Sequence, residues 1–83
     1  MRRVSVVGNS ESGKSTLAAI LAARLGVPHV ELDAVFHQRG WLALPAEEFR
    51  RRVAVATEGD GWVVDGDYSA VRPIVWQRAD TVV

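Results

Sequence analysis

The chain has 83 residues, and its ten basic and ten acidic side chains give a formal net charge of zero, which argues against binding nucleic acid or membranes through bulk positive charge. Hydrophobic residues make up 48% of the sequence, which is enough for a folded core and too many for a disordered segment. The absence of cysteine excludes disulfides, thiolate catalysis and cysteine-ligated zinc. Because there is neither an apolar run near the ~20 residues that cross a bilayer nor a signal-peptide pattern, we expect a cytoplasmic protein.

The first third of the sequence predicts a strand, a loop and a helix. A β-branched run over Arg3–Val7 indicates a buried strand, and the residues GNSESG that follow it are typical of a loop. A helix is predicted over Lys14–Leu25, with Gly26 as its C-cap. The apolar stripe that we expect to face the core consists of Leu17, Ile20, Leu21 and Leu25.

The middle of the sequence predicts a short strand and a second long helix. The strand covers His29–Leu32, and the stretch 34–44 after it is less regular. Pro45 suits the first turn of a helix that runs to about Thr57. The apolar stripe of this helix consists of Ala46, Phe49, Val53 and Ala56.

The last third predicts two more strands around a short helix. Trp62–Val64 is a strand that ends at Asp65, and Tyr68–Arg78 holds a short helix that Pro73 interrupts early. A fourth strand begins at Thr81–Val83. Strands that alternate with helices predict an α/β fold with a parallel sheet and helices on both faces, a three-layer sandwich. Because the chain stops in an apolar strand, we expect residues 1–83 to be the N-terminal part of one longer domain.

The segment GNSESGKS matches the phosphate-binding P-loop pattern at every fixed position. Gly8 allows a sharp turn after the strand, and Gly13 lets the backbone approach a phosphate. The loop amides and the helix dipole favour an anion there, while Lys14 neutralises the β- and γ-phosphates and the Ser15 hydroxyl can bind Mg²⁺. The predicted ATP-binding residues are Gly8, Ser10, Glu11, Ser12, Gly13, Lys14, Ser15 and Thr16.

Two aspartates follow predicted strands and are candidates for the same site. Asp65 can hold the Mg²⁺ shell as a Walker-B carboxylate does, although Asp65-Gly66 is also a good turn dipeptide. Asp33 can accept a proton from, or hydrogen-bond to, a phosphoryl acceptor, and it can equally cap the segment that follows. The predicted metal ligands are therefore Ser15 and Asp65, and the predicted catalytic residues are Lys14 and Asp33.

Other polar and aromatic residues are predicted to be structural. Asp80 begins a strand and should lie at the opposite end of the sheet. His29 and His37 have no third ligand nearby, so a zinc site is not expected. Arg72 is the arginine best placed to reach a substrate phosphate, but its position favours a solvated helix surface. Trp41, Trp62 and Trp76 are predicted to be core or pocket walls.

Together the motifs resemble those of the adenylate-kinase-related P-loop kinases, in particular the DNA topology modulation protein-like group. The matching stretches are GNSESGKSTLA, then ELDAVF with GW and the Pro-x-Glu-Glu-Phe element, then WVVDGDYS and RADTVV. The resemblance implies a sheet of order 2-3-1-4-5, of which this chain holds 2-3-1-4, with the fifth strand and a lid of catalytic arginines further along. It implies ATP-dependent phosphorylation of a nucleotide or other small molecule, with Asp33 on the acceptor side.

Three functions remain open at this stage. The first is an ATP- and Mg²⁺-dependent kinase, whose activity would depend on the lid arginines. The second is a non-catalytic ATP-binding regulatory module. A regulatory GTPase is disfavoured because Asp65-Gly66-Asp67-Tyr68 lacks the glycine of a D-x-x-G switch, and the stretch DGDYS lacks the arginine that would support AMP as acceptor. No direct nucleic-acid binding and no membrane partner are expected.

Overall fold

The computed structural model describes residues 1–7, 11–37 and 44–83 of the chain. Strands alternate with helices along these residues, as the sequence predicts, apart from two helices in succession between the second and third strands. In chain order the elements are β1 (Arg3–Val6), α1 (Glu11–Leu25), β2 (His29–Glu31), α2 (Leu32–Phe36), α3 (Ala46–Ala56), β3 (Trp62–Asp65), α4 (Arg72–Arg78) and β4 (Thr81–Val82).

The four strands form one parallel sheet of order β2-β3-β1-β4. In the register, Val4 of β1 lies beside Val63 of β3 and beside Thr81 of β4, while Val30 of β2 lies beside Val64. Because β1 and β3 lie in the interior of the sheet, both consist mainly of buried residues, and each contains two valines. The predicted parallel α/β fold with strand order 2-3-1-4 is confirmed.

Helices cover both faces of this sheet, and alternate strand residues enter two separate cores. On one face, Val63 packs with Ala18 and Ala22 of α1. On the other, Trp62 and Val64 join a cluster that includes residues of α2, α3 and α4. This alternation follows from the two-residue period of a strand, so the domain has three layers, with α1 alone on its side of the sheet among the described elements.

The packing of α1 differs from its predicted apolar stripe. The residues that meet the sheet are Ala18 and Ala22, which are 0% and 5% exposed, and the predicted core residues Leu17 and Ile20 are 39% and 48% exposed. Leu21 and Leu25 pack at the edge of the core. Apolar residues lie all around this helix, so its pattern does not select a face, and the alanine side allows the closest approach to the sheet.

The end of α1 follows the sequence prediction. Gly26 has a positive φ of 68°, which an L-residue adopts only at a cost. The backbone N–H of Gly26 donates to the carbonyl of Ala23, and that of Val27 donates to the carbonyl of Ala22. This pair of hydrogen bonds is a Schellman motif, so Gly26 is the predicted C-cap.

The regions around α2, α3 and α4 each differ in one respect from the sequence predictions. The second strand ends at Glu31 because Leu32, only 1% exposed, turns into the core as the first residue of α2. In α3 the predicted stripe is half right, since Phe49 and Val53 are buried and Ala46 and Ala56 are exposed. Pro73 does not interrupt α4: it lies in the first turn, where its missing N–H has no helical partner to lose.

None of the described helices is long and apolar enough to cross a membrane.

Candidate functional site

The candidate site lies at the carboxyl edge of the sheet, where β1, β2 and β3 end together. In the register, Asp65 is the partner of Val6 in β1 and of Glu31 in β2. The N–H of Gly66 donates to the carbonyl of Val6 at 3.1 Å, so the segment after β3 is joined to the strand that leads into the P-loop segment. In open α/β folds, ligands bind at this edge.

The P-loop segment is described only in part. Gly8 and Ser10 lie outside the described residues, so their predicted roles stay predictions. α1 begins at Glu11, three residues before the predicted start at Lys14, because glutamate and serine are compatible with the first turn of a helix.

This earlier start places Glu11, Ser12 and Gly13 in the first turn of α1 rather than in the loop. The first four backbone N–H groups of an α-helix lack intrahelical acceptors, which is the general reason why helix N-termini bind anions. Lys14 and Ser15 are partly buried, and Gly13 and Thr16 are exposed.

Asp65 is a carboxylate buried in the sheet. It is 3% exposed, and as the register partner of Val6 it shares the sheet face on which α1 packs. Its Oδ2 accepts a hydrogen bond from Nε2 of His29 at 2.5 Å. His29 is the register partner of Val63 and therefore lies on the same face, with 19% of its side chain exposed.

Asp33 is held by an aromatic residue. The hydroxyl of Tyr68 donates to Oδ1 of Asp33 at 2.6 Å. The Tyr68 ring is fixed by Phe36, with centroids 4.9 Å apart, and by Phe49, at 5.2 Å. Asp33 lies in the first turn of α2 and its side chain is exposed. The N-cap of α2 is Glu31, so the alternative reading of Asp33 as the cap is wrong.

The position after Asp65 requires glycine. Gly66 has a φ of 116°, and a Cβ at this position would lie 3.0 Å from Cβ of Leu32. The chain therefore leaves β3 in close contact with the start of α2, one residue before Asp33. Asp65 is the last residue of β3, residues 66–68 are irregular and the first turn begins at residue 69, so the structure does not bear out Asp65-Gly66 as a turn dipeptide.

Arg72 and Asp80 form hydrogen bonds with groups outside the candidate site. Arg72 donates through Nε and Nη2 to the two carboxylate oxygens of Asp67, at 2.8 and 2.9 Å, and its guanidinium lies 5.3 Å from the ring centre of Trp76. Asp80 accepts hydrogen bonds from the backbone N–H groups of Arg2 and Arg3 at the opposite edge of the sheet, as predicted for a structural residue.

Of the tryptophans predicted to be core or pocket walls, Trp62 lies in the core, whereas Trp76 is exposed. Trp62 is completely buried and donates to the carbonyl of Thr57 at 3.2 Å. Trp76 is 44% exposed and donates to Oγ of Ser5 at 3.3 Å. Trp41 lies outside the described residues.

Asp65 and Ser15 carry oxygen donors of the chemical kind that Mg²⁺ takes. Among the described residues, no group of three or more His, Cys, Asp and Glu side chains could form a metal cage. Mg²⁺ usually takes one or two protein oxygens and completes its shell with water and substrate phosphates. Asp65 is a buried carboxylate beside β1, and Ser15 carries a hydroxyl in the first turns of α1, so each is an oxygen donor of this kind.

Sequence reasoning missed two residues of this site, His29 and Tyr68. From the sequence, His29 starts a strand and is not expected to bind zinc, and Tyr68 has no predicted role in a site. Both contacts join residues more than 30 positions apart, at sequence separations of 36 and 35. The pairing of β2 with β3 would have indicated the first contact, because it brings His29 and Asp65 to one face.

Comparison with protein-family models, with curated proteins and with solved structures found no match to this chain.

Proposed function

We propose that the chain binds ATP and Mg²⁺ through Gly8–Thr16 and Asp65, as the nucleotide-binding part of a kinase that phosphorylates a nucleotide or other small molecule. One observation carries the proposal. The buried carboxylate of Asp65 lies beside the strand that leads into the P-loop segment, on the face covered by the helix that follows that segment. A Walker-B carboxylate needs this placement relative to its P-loop.

The fold and the motifs support the same reading. The strand order β2-β3-β1-β4 is the order implied by the resemblance to adenylate-kinase-related kinases. The P-loop pattern follows the interior strand β1 and continues into α1, which is the context that gives such a pattern its meaning.

Each residue then has a distinct role in direct phosphoryl transfer. Lys14 and the amides at the start of α1 bind the phosphates and stabilise the charge that develops on the γ-phosphoryl group. Asp33 orients the acceptor, and Tyr68 holds the Asp33 carboxylate in place. An acceptor oxygen bonds to the γ-phosphorus, the bond to the β–γ bridging oxygen breaks, and ADP leaves. When the acceptor is a hydroxyl, its proton passes to Asp33.

Mg²⁺, when bound, neutralises charge on the β- and γ-phosphates. The residues that would hold it are Ser15, through its hydroxyl, and Asp65, through its carboxylate or an intervening water.

Calorimetric titration with ATP, in Mg²⁺ and in EDTA, tests the binding proposal. Lys14→Ala removes hydrogen bonds between charged groups worth about 1.5–3 kcal/mol, so we expect the Kd to rise ~10- to 150-fold. Arg24→Ala is the matched control, because it removes one positive charge at the other end of the same helix, and it should leave the Kd unchanged. Equal binding by Lys14→Ala and the parent would contradict the P-loop assignment, and tighter binding of GTP than of ATP would favour a GTPase.

A second titration tests the metal role of Asp65. Asp65→Asn should reduce the enhancement of ATP binding by Mg²⁺ about 10- to 100-fold, as expected for residues that hold a metal's outer shell. The Kd in EDTA should stay close to that of the parent. If the Mg²⁺ enhancement is unchanged, Asp65 has no metal role.

A non-catalytic ATP-binding module is the second candidate. In this reading the hydrogen bond from Tyr68 holds Asp33 as part of the fold, and Oδ2 of Asp33 takes no proton from an acceptor. The two candidates differ in acceptor-dependent ADP production. A chain that binds Mg²⁺ and ATP but releases no ADP with a panel of nucleosides, nucleotides and sugars is the module.

A further inference from the structure

The buried carboxylate of the candidate metal site is held by a residue outside every motif of the sequence. Nε2 of His29 lies 2.5 Å from Oδ2 of Asp65, and the Asp65 side chain is only 4% exposed. His29 is the first residue of β2, and its register partner Val63 is buried in β3. The imidazole is therefore attached to the sheet, so the hydrogen bond joins two backbone-anchored groups.

This geometry determines how the carboxylate can be used. A carboxylate rotates about its last torsion in a broad, roughly two-fold energy profile, and a hydrogen bond to one oxygen from a fixed donor selects one orientation. His29 can donate from Nε2 both as the neutral Nε2–H tautomer and as the imidazolium, so the orientation does not require a charged ring.

We propose that His29 is a positioning residue, which holds Oδ2 of Asp65 so that Oδ1 faces the water shell of the bound Mg²⁺. The inference rests on the proposed function, because it assigns a role within the same metal site. Carboxylates that hold metals are commonly fixed by such hydrogen-bonding partners, whose loss weakens metal binding without removing a ligand.

A purely structural role for the pair predicts something different. If His29 only satisfies a buried charge, its replacement changes the stability of the fold and affects ATP binding equally with and without metal. If it positions Asp65, its replacement acts on the metal-dependent part of binding alone, and only while Asp65 is a carboxylate.

The test uses three variants of the full chain. His29→Phe keeps a planar ring and removes the donor, and His29→Gln restores an amide donor at nearly the same reach. His37→Phe is the matched control, because it replaces the other histidine, which is exposed after α2. For each protein, the Kd for ATP is measured in EDTA and in Mg²⁺, and Mn²⁺ binding to the ATP complex is titrated by electron paramagnetic resonance. Far-UV circular dichroism checks the fold.

We expect His29→Phe to reduce the Mg²⁺ enhancement of ATP binding and the affinity for Mn²⁺ about tenfold, while its Kd in EDTA changes by less than about twofold. His29→Gln should recover most of this loss, and His37→Phe should behave as the parent. In the Asp65→Asn background, His29→Phe should cause no further loss, because the two residues act as one unit.

Several results would overturn the inference. The first is an unchanged Mg²⁺ enhancement in His29→Phe, and the second is an equal loss in EDTA and in Mg²⁺. The third is a loss that persists on the Asp65→Asn background. If His29→Phe does not fold, His29→Gln is compared with the shorter His29→Asn, because only the longer amide reaches Oδ2. Equal Mg²⁺ enhancement of ATP binding in these two variants would then refute the inference.

The failure of the proposed function would look different. In that case the parent shows no ATP binding that depends on Lys14, in EDTA or in Mg²⁺. The positioning role of His29 is then refuted together with the proposed function. Lys14-dependent binding in the parent together with unaffected His29 variants removes the positioning role alone.

Discussion

Replacing Gly66 by alanine tests how closely the segment after β3 packs against α2. Gly66 has a φ of 116°, and an added Cβ would lie 3.0 Å from Cβ of Leu32. Cβ of Leu32 is attached directly to the backbone of α2, so it cannot move aside by a change of rotamer. The substitution therefore combines backbone strain with crowding at one position.

The expected cost follows from these two effects. A non-glycine residue in a sparsely populated backbone region costs about 1–3 kcal/mol, and overpacking by a methyl group costs a further ~1–3 kcal/mol. Alanine also restricts the unfolded chain, which recovers about 0.4–1 kcal/mol. The net loss in the free energy of unfolding is about 1–6 kcal/mol, a large share of the ~4–12 kcal/mol expected for a domain of this size.

Two other glycines separate the contributions. Gly26 also has a positive φ, of 68°, but open space around its missing side chain, so Gly26→Ala measures strain alone and should cost about 1 kcal/mol. Gly59 has open space and no positive φ, so Gly59→Ala should be neutral or stabilise by about 0.4–1 kcal/mol. Equilibrium unfolding in urea, followed by tryptophan fluorescence, gives all three values.

The order of the three variants decides the outcome. We expect Gly66→Ala to be the least stable, Gly26→Ala intermediate and Gly59→Ala the most stable. If Gly66→Ala loses no more than Gly26→Ala, the close approach of Gly66 to Leu32 is refuted, and with it the packing that places Asp65 beside the start of α2.

Two further predictions concern stability. Hydrogen bonds from the backbone N–H groups of Arg2 and Arg3 lower the pKa of Asp80 from 3.8 to about 2. Because the pKa of Asp80 is lower in the folded state, its stabilisation of the fold is complete above about pH 3.8 and is lost as the pH falls towards 2. In urea unfolding, Asp80→Asn should therefore lose less stability than the parent over that pH range. Identical dependence of stability on pH in the two proteins would contradict this. Phe49 is 0% exposed, so Phe49→Ala should cost about 3–5 kcal/mol in thermal unfolding. Val55→Ala, at a position 61% exposed in the same helix, should stay within about 0.5 kcal/mol, and similar losses in the two variants would contradict the position of the core.

The sheet was predictable because its signals are local. The β-branched runs at β1 and β3, the Gly26 cap and the proline before α3 each fix a boundary through the conformations of a few residues. Once strands and helices alternate, the handedness of crossovers restricts the topology to few alternatives. The parallel arrangement thus follows from elements that can be recognised one at a time.

The core face of α1 was not predictable in this way. A helix that carries leucine, isoleucine and alanine on all sides has no polar face to define the opposite one. The choice of Ala18 and Ala22 over Leu17 and Ile20 depends on how near the helix comes to the sheet, which is a property of the packed layers. The size of the side chains, rather than their hydrophobicity, therefore determines which face of α1 packs on the sheet.

In the candidate site, too, some features could be predicted from the sequence and others could not. The placement of Asp65 and Asp33 near one edge could be inferred, because the carboxyl ends of parallel strands meet there. Their partners His29 and Tyr68 could not, since each contact depends on register and on a segment whose geometry rests on Gly66. The location of the two carboxylates thus follows from the order of the strands, and their orientation follows from the packing.

The presence of a carboxylate at the end of β3 is itself informative. The preceding residues of this strand are tryptophan and two valines, all completely buried, so an apolar residue at position 65 would continue the pattern. Replacing a buried ion pair by well-packed apolar residues is often neutral or stabilising, while leaving one buried charge unpaired costs about 3–5 kcal/mol. The pair of Asp65 and His29 therefore brings the fold little stability that valine would not. Under the proposed function, the aspartate has a different reason: a cation bound beside the P-loop segment would need an anionic oxygen at position 65.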